Sequence, residues 1–255
     1  MNSSTNSTDE SVFTTEEFLA VTLAGRVAGS KHLVVGANSP IPACAALLTQ
    51  AQSATTTAPK AEVTILGSRE FMQFTDGGKE LFDYAAEGRM DAFFVGGGQI
   101  DGQANINLVG VGDYPGTKLR LPGSFGSAYL YHLVPNIVLF RKEHSCRVLV
   151  PRVDFISAAG SSPANHYRVG GPRWLVTELV VMEFIAAKAR FVLHSIHAGH
   201  SIEEVLDRTG FEFDYSPDPS TTPTPTADQL AQLRGPVREA LAPVYPDFCQ
   251  KAFDQ

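Results

Sequence analysis

Three short apolar segments constrain the fold more than any other feature of the sequence. The runs HLVVGAN from His32, EVTILG from Glu62 and DAFFVGGG from Asp91 are rich in β-branched or aromatic residues, as in strands that are buried on both faces. Segments with a helical spacing of apolar residues separate these runs. Strands that alternate with helices form a covered, largely parallel sheet, so we predict an α/β fold with an open, mainly parallel or mixed sheet flanked by helices.

The helices of this first half carry local start signals. Thr14 and Glu17 form a predicted capping box at the start of a helix that ends near Ala28. Ser39 is placed to cap the next helix, whose first position Pro40 tolerates well. The segment GKELFDYAAEGR predicts a third helix that ends at a glycine.

The sequence after Gln99 predicts shorter strands joined by turns. Turn-rich QIDGQANIN precedes several strand-like runs, which include NIVLFRK and RVLVPRVDFIS. Further strands are predicted at 175–181 and 190–194. The segment SIEEVLDRTG predicts a helix with a capping box, and a proline-rich connector leads to a last helix near Ala227.

Composition excludes several classes of function. The 20 Lys and Arg residues are scattered and outnumbered by 27 Asp and Glu, for a net charge of −7, so no basic surface is predicted for nucleic acid. With 44% hydrophobic residues we expect a single domain at residues 14–255, preceded by a polar, disordered lead-in at residues 1–13. Because neither a signal peptide nor a membrane-length apolar segment is visible, we expect a cytoplasmic protein without a membrane partner.

Neither the cysteines nor the histidines indicate a metal site. The three cysteines are an odd number without CxxC spacing, so we interpret them as reduced packing residues. His194, His197 and His200 recur every three residues, but their β-branched neighbours and Gly199 predict a strand and turn, in which the rings do not converge. We predict no metal and no permanently bound cofactor.

Ligand-binding residues are predicted at the carboxyl ends of the strands, where the loops GANSP, LGSRE and GGGQ emerge. After the third strand, Gly96, Gly97 and Gly98 can bring backbone amides close to a ligand carbonyl or phosphate, although a tight turn also explains them. Asn38 and Ser39 follow the first strand, and both a helix cap and a ligand contact fit Ser39.

A polar cluster follows the three glycines. Its members are Gln99, Asp101, Asn105 and Asn107. Their side chains can satisfy one another and the turn backbone, so we interpret the cluster as structural turn chemistry. Gln99 is the member expected to face a ligand.

One long motif resembles a known family. The run FFVGGGQIDGQANINLVGVGDYPGTKLRLPGSFGSA, from Phe93 to Ala128, resembles the B-type chain of the glutaconate CoA-transferase family, whose members read F-x-G-G-x-Q-x-D-x-x-G-N-x-N, then G-D-Y and then G-S-G-G-A. The likeness continues through NIVLFRKEHSCRVLVPRVDFISAAG and SIHAGHSIEEVLDRTGFEFD. The resemblance implies the NagB/RpiA-like fold of the CoA-transferase superfamily.

The resemblance also implies an enzyme made of two kinds of subunit. Family members pair with a related A-type subunit across a shared active site, usually as heterotetramers of two A-type and two B-type chains, and act on an acyl-CoA thioester. Coenzyme A would then be part of the substrate. In that setting the loop with Gly123, Ser124 and Gly126 is expected to donate amides to the thioester oxyanion. Phe125 stands where relatives have glycine, so an altered acyl pocket is expected.

The resemblance places a glycine where the family has its nucleophile. Transferases carry a glutamate at the end of the second core strand, in a context like I-I-V-E-S-G, and its carboxylate attacks the thioester. The matching segment VTILGSRE has Gly67 at that position. Glu70 is only a weak substitute, because its offset of three residues aims the carboxylate differently.

Three functions follow from these observations and stay open at this point. The first is a CoA-transferase subunit. The second is a hydrolase subunit that cleaves a carbon–carbon or thioester bond of a CoA-bound β-keto acid, as in steroid ring degradation, with the working carboxylate on the A-type subunit. The third is a non-catalytic effector-binding module, since sugar-phosphate sensor domains share the broad fold.

Overall fold

The computed structural model describes residues 13–54, 60–75 and 77–253. The predicted lead-in at residues 1–13 lies outside the described residues except for its last residue. Residues 55–59, between the second helix and the second strand, lie outside them as well.

The first half of the chain alternates helices and strands as predicted. Its elements are α1 (Thr15–Arg26), β1 (His32–Val35), α2 (Pro40–Ala54), β2 (Glu62–Ile65), α3 (Gly77–Ala86) and β3 (Ala92–Val95). The predicted capping box is complete, with Thr14 accepting from the Glu17 amide and Glu17 accepting from the Thr14 amide. All residues of β1 and β3 are buried, as their uninterrupted apolar sequences require.

The second half contains short hairpins, a small helix and longer strands. Its elements up to the last long strand are β4 (Gln99–Ile100), β5 (Ile106–Asn107), β6 (Gly110–Val111), β7 (Leu119–Arg120), α4 (Ser127–Leu133), β8 (Asn136–Phe140), β9 (Pro172–Val176), β10 (Val180–Ile185) and β11 (Arg190–Ile196). A 3-10 turn at Ala186–Lys188 joins the last two strands. Helix α4 was not predicted, because it begins after Gly126 without a side-chain cap.

Two strand predictions in this region are wrong. The run at 175–181 forms two antiparallel strands, because the Thr177 hydroxyl accepts the amides of Leu179 and Val180 and closes a turn between them. The run RVLVPRVDFIS is not a strand. Isolated bridges connect Leu149, and Ala158 just after the run, to the hairpins.

The C-terminal part folds into several short helices instead of the single last helix that was predicted. Its elements are α5 (Ile202–Arg208), β12 (Ser220–Thr221), α6 (Ala227–Gln232), a π-helical turn (Leu233–Val237), α7 (Arg238–Leu241) and α8 (Pro246–Phe253). The break between α6 and α7 follows from the non-helical backbone of Gly235 and from Pro236, which has no N–H to donate.

The eight-stranded sheet has the order β12-β11-β10-β9-β8-β3-β1-β2. Pairs from β2 across to β9 are parallel, β10 is antiparallel to both of its neighbours, and β12 is parallel to β11. The prediction of a mainly parallel, mixed sheet is therefore confirmed. One hydrophobic cluster joins α1, α2 and the C-terminal helices to one face, and another joins α3, α4 and α5 to the other.

The N-terminal and C-terminal segments of the described chain meet in the helical layer that contains α1, α2 and the C-terminal helices. The Glu17 carboxylate is buried and accepts from the Arg234 guanidinium, with Nε to Oε1 at 2.6 Å and Nη2 to Oε2 at 2.9 Å. The Thr14 hydroxyl donates to the Ala252 carbonyl at 3.3 Å. The C-terminal helices thus close over α1.

Polar residues at the edge of the sheet surround two buried histidines. His144 lies between the hydroxyls of Thr177 and Thr209, at 2.8 and 2.9 Å. His197 contacts the Thr222 hydroxyl and the Thr177 carbonyl, each at 2.9 Å. Burial lowers the pKa of each imidazole to about 4, so both rings are neutral at pH 7.

The three histidines of the HxxHxxH spacing occupy different environments. His197 is buried, whereas His194 packs edge-on against Trp174 and His200 contacts the Glu204 carboxylate on the surface. The cysteine prediction is wrong for Cys146, which is exposed, while the other two cysteines are buried. No helix in the described segments has the length and apolarity that a membrane span requires.

Candidate functional site

A cavity of about 750 Å³ lies where β1, β2 and β3 end. Four loops build it: the β1–α2 loop, the turn after β2, the glycine turn after β3 and the loop before α4. The residues singled out by sequence that line it are Asn38, Ser39, Gly67, Gly96, Gly97, Gly98, Gly123, Ser124 and Phe125. The carboxyl ends of neighbouring parallel strands meet at one edge of a sheet, which is why loops distant in sequence share this cavity.

Left-handed backbone conformations recur around the cavity. Asn38 has a φ of 55°, Gly67 of 85°, Gly123 of 103° and Phe125 of 42°. Glycine and asparagine adopt this region readily, but a bulky side chain does so only under constraint. Phe125 is therefore the strained member, and its ring packs against Phe82 at 5.6 Å between centroids while remaining 77% exposed.

Residues of the loop before α4 line the cavity, and their backbone amides differ in whether they have an acceptor. The Gly123 amide donates to the Leu108 carbonyl at 2.8 Å, so the prediction that it serves an oxyanion is wrong for the N–H of this residue. Within the described residues, the Ser124 and Phe125 amides have no backbone acceptor. Gly126 does not line the cavity, and a β-carbon there would collide with the Phe82 ring unless that ring moved.

The glycine turn after β3 is closely packed from behind. A β-carbon on Gly97 would lie 2.8 Å from the Gln99 carbonyl oxygen, and one on Gly98 would lie 2.4 Å from a Leu121 methyl group. The Gly98 amide also donates to the Asn107 carbonyl at 2.8 Å. Packing thus requires glycine at position 97, where the close atom is backbone, whereas a side chain at position 98 would require Leu121 to move. Both glycines line the cavity.

The polar cluster after this turn serves the fold. Gln99 is buried, and its amide oxygen accepts from the Asn107 side chain at 2.7 Å and from the Asp154 backbone amide at 3.0 Å. Its amide nitrogen donates to the Asp154 carboxylate at 3.1 Å. The structure therefore places Gln99 behind the turn and outside the cavity lining, against the prediction that it faces a ligand.

Position 67 opens directly into the cavity, and Glu70 does not. Glu70 is exposed and accepts from the Ser68 hydroxyl at 3.1 Å, away from the lining. The weak prediction of Glu70 as a substitute nucleophile therefore has no support in its position. Among the described residues that line the cavity, none carries a carboxylate, a thiol or an imidazole.

Sequence reasoning missed two residues of the site. Arg141 is the first residue after β8, and it lines both the cavity and an adjoining depression of about 560 Å³. Tyr245 comes from the C-terminal helices, and its hydroxyl accepts the Ser39 amide at 3.4 Å. Burial raises the pKa of Tyr245, and hydrogen bonds from the Ser39 and Asn38 amides oppose this shift. A prediction that β8 lies next to β3 in the sheet would have identified Arg141 as a residue of the site.

Ser39 itself does not cap α2 as predicted. Its hydroxyl donates to the Ala37 carbonyl at 3.3 Å and stabilises the bend of the loop instead. The β1–α2 loop is thus held by this contact within itself and by the contacts of its Asn38 and Ser39 amides with Tyr245.

Comparisons with known proteins agree with this geometry. The family model described as Coenzyme A transferase matches residues 23–208. The chain is 32% identical over 162 residues to the B chain of 3-oxoadipate CoA-transferase from Pseudomonas knackmussii, covering 61% of this chain and 62% of that relative. It is 29% identical over 157 residues to the B chain of glutaconate CoA-transferase from Acidaminococcus fermentans, covering 56% and 58% of the two chains.

Other relatives have different activities in their names. The cholesterol ring-cleaving hydrolase IpdB subunit of Rhodococcus jostii is 29% identical over 160 residues, covering 61% of this chain and 62% of that relative. The crystal structure of the decarboxylase AibA/AibB superposes with a TM-score of 0.72 at 26% identity, covering 88% and 94% of the two chains. The matched part thus spans 62% of the length of the first relative, less than two thirds.

Proposed function

Because the chain belongs to the coenzyme A transferase family, we propose that it is the B-type subunit of a heteromeric enzyme that acts on an acyl-CoA thioester. An A-type subunit is the proposed partner, in a heterotetramer of two A-type and two B-type chains. Relatives named as B-type chains support this assignment. Coenzyme A is then part of the substrate, and no resident cofactor is required.

The cavity at the strand ends is the observation that carries the proposal. When a thioester carbonyl is attacked, its oxygen gains negative charge, which preorganised N–H donors stabilise. The Ser124 and Phe125 amides are available for this role at one wall of the cavity. Since the lining holds no nucleophilic carboxylate in the part of the chain that the structure describes, the attacking group is proposed to come from the partner subunit or from water.

Gly67 favours a second candidate, a hydrolase or carbon–carbon bond-cleaving subunit of the same architecture. Its main chain lines the cavity where a transferase nucleophile is expected, and it offers no side chain for a covalent adduct. A relative named as a ring-cleaving hydrolase and a similar structure named as a decarboxylase show that such activities occur among similar proteins. A non-catalytic binding module remains the third alternative.

We also propose that residues 14–255 form one domain and that the enzyme is cytoplasmic. Both hydrophobic clusters include residues of the same eight-stranded sheet, which supports the first statement. The exposed free thiol of Cys146 fits a reducing compartment, which supports the second.

Trapping experiments on the complex with its A-type subunit test the proposal. The complex is incubated with glutaryl-CoA and quenched in acid, and both chains are weighed by intact mass spectrometry. We expect no mass change on this chain, and a CoA adduct on it would contradict our interpretation of Gly67. Release of free CoA into water indicates a hydrolase, and transfer of CoA to added acetate indicates a transferase.

Two controls define the remaining outcomes. This chain purified without its partner is expected to release no CoA, and light scattering of the complex is expected to give the mass of two A-type and two B-type chains. Binding of glutaryl-CoA by the complex without any turnover would favour the non-catalytic alternative.

A further inference from the structure

The helical layer of α1, α2 and the C-terminal helices does not extend over the outer part of the sheet in the described residues. The hydrophobic cluster of this layer reaches β9 and β10 through Val176, Val181 and Trp174. Beyond them, the same side of β10 and β11 is half-buried or exposed. This surface, the outer face, consists of Arg26, Trp174, Glu183, Ile185, Val192 and His194.

Strand register places the centre of the outer face on one side of the sheet. Trp174 of β9 is opposite Glu183 of β10, which is opposite Val192 of β11. Directly opposed residues of paired strands project to the same side of a sheet. The alternate residues of β10, Met182 and Phe184, belong to the hydrophobic cluster on the other side. The three opposed residues therefore form one row across the outer strands.

Arg26 lies beside this row with its charge unpaired. Its guanidinium carbon is 4.7 Å from the centre of the Trp174 ring, and His194 packs edge-on against the same ring at 5.4 Å. The buried Nε of Arg26 has no acceptor among the described residues. Burial lowers the pKa of Arg26, and the nearby charge of Glu183 opposes this shift. The ion pairs within the described ranges include neither Arg26 nor Glu183.

The composition of the outer face is typical of a protein contact. Antiparallel strands can face water on one side, so exposure alone would indicate nothing. Tryptophan and arginine, however, are enriched at the centres of protein interfaces, and Trp174 is the only tryptophan of the chain. A buried N–H without an acceptor costs free energy, which an acceptor on a partner would recover.

The charges of the outer face suit a second copy of the same chain. A contact across a two-fold axis repeats each residue pair and requires a surface that is complementary to itself. A neighbouring cation and anion, both unpaired, meet this requirement, because Arg26 of each copy can pair with Glu183 of the other.

We propose that the outer face is the contact between two copies of this chain and that it joins two pairs of A-type and B-type chains into the heterotetramer. This inference rests on the proposed function, which requires two B-type chains in one assembly. The strands of the outer face lie at the opposite end of the sheet from β2, and none of its residues lines the cavity. The cavity thus stays accessible to the A-type subunit.

Light scattering of charge-reversal variants, each in complex with the A-type subunit, tests this contact. Arg26→Glu and Glu183→Lys each place like charges across the contact, twice in every assembly. We expect each to raise the dissociation constant of the heterotetramer about 100-fold, so that the mass falls to that of one A-type and one B-type chain. The double variant restores complementarity and should recover the wild-type mass. Turnover of glutaryl-CoA per pair of chains should stay unchanged, because the outer face does not line the cavity.

Arg89→Glu is the matched control. The Arg89 guanidinium also stacks on an aromatic ring, 3.6 Å from the centre of Tyr84, but Tyr84 packs against the cluster on the other side of the sheet. The same change of charge at this position should keep the mass of the heterotetramer. Circular dichroism verifies that each variant is folded.

Trp174 provides a second measurement. Fluorotryptophan incorporated into this chain alone gives one fluorine resonance, because the chain has a single tryptophan. The change of its chemical shift between H2O and D2O reports the exposure of the ring. We expect a smaller change in the wild-type complex than in the Glu183→Lys complex. Equal changes would show that the ring is not covered and would refute the inference.

The other outcomes separate this inference from the proposed function. An unchanged heterotetramer in both single variants would refute the inference alone. Release of the A-type subunit by either variant would assign the outer face to that subunit, against the inference. A wild-type complex with the mass of one chain of each type would refute the inference even if it turned over glutaryl-CoA. The expected masses without any turnover would support this contact and refute the proposed activity.

Discussion

The Tyr245 hydroxyl accepts the Ser39 backbone amide at 3.4 Å and joins the C-terminal helices to the loop that follows β1. Tyr245→Phe keeps the ring and removes this acceptor. We expect KM for glutaryl-CoA to rise about three- to tenfold with kcat unchanged, because a loop that lines the cavity loses its support. The free energy of unfolding should fall by about 1 kcal/mol. Steady-state kinetics and urea titration measure the two effects. Tyr215→Phe, at a residue that lines a different depression, should change neither quantity.

Acid should unfold the protein through its buried histidines. The imidazoles of His144 and His197 have a pKa of about 4 in the folded chain, lowered chiefly by burial, against 6.5 in the unfolded chain. The unfolded state therefore binds more protons between these values. The stabilisation is complete above pH 6.5 and is lost as the pH falls towards 4, by on the order of 3 kcal/mol for each ring.

Urea titrations at pH 7, 6 and 5 measure this dependence. His144→Gln should reduce the slope of the free energy of unfolding against pH by up to one proton. Equal slopes for His144→Gln and wild type would refute the assignment of this titration to His144.

Substitution of Gly67 by alanine should show whether this residue affects activity in addition to any effect of backbone strain on stability. Gly67 and Gly88 both have left-handed backbones, with φ of 85° and 70°, and a β-carbon would meet nothing closer than 4.0 Å at either site. Each substitution by alanine is expected to cost about 1 kcal/mol of stability, since the left-handed region disfavours a β-carbon. Only Gly67→Ala should also lower kcat/KM, because only Gly67 lines the cavity. A comparable loss of activity in Gly88→Ala would indicate an indirect effect.

Phe125→Gly should widen the acyl pocket at little cost in stability. The substitution relieves a φ of 42° and removes a ring that is 77% exposed, so the free energy of unfolding should change by less than about 1 kcal/mol. The ratio of kcat/KM for adipyl-CoA over glutaryl-CoA should rise, because the pocket accepts one more methylene. Tyr129→Leu is the control, since Tyr129 also packs on Phe82, at 5.5 Å, but lies outside the lining. An unchanged ratio in Phe125→Gly would show that Phe125 does not limit the acyl chain.

Local signals made most of the first half predictable. The capping box of Thr14 and Glu17 fixes the start of α1, and uninterrupted apolar runs mark β1 and β3 as buried strands. The predictions failed where local signals were absent or conflicting. α4 lacks a side-chain cap, and the turn at Thr177 divides a continuous apolar run into two strands.

Only those features of the site that follow from strand topology could be predicted from the sequence. Parallel strands bring their carboxyl ends together, so the loops at Asn38, Gly67 and Gly96 were expected to meet. Contacts between distant segments could not be predicted from local patterns. The sequence around Tyr245 contains no signal for its contact with Ser39, 206 residues earlier. Side-chain direction in short hairpins was also inaccessible, and for this reason Gln99 was assigned to the cavity wrongly.

The pairing of Glu17 with Arg234 has a consequence for the order in which the protein matures on the ribosome. The two residues are separated by 217 positions, so the carboxylate is synthesised long before its counter-ion emerges. Until then Glu17 must remain hydrated, and α1 cannot adopt its final packing. Completion of that helical layer therefore depends on a segment that is synthesised 217 positions after Glu17.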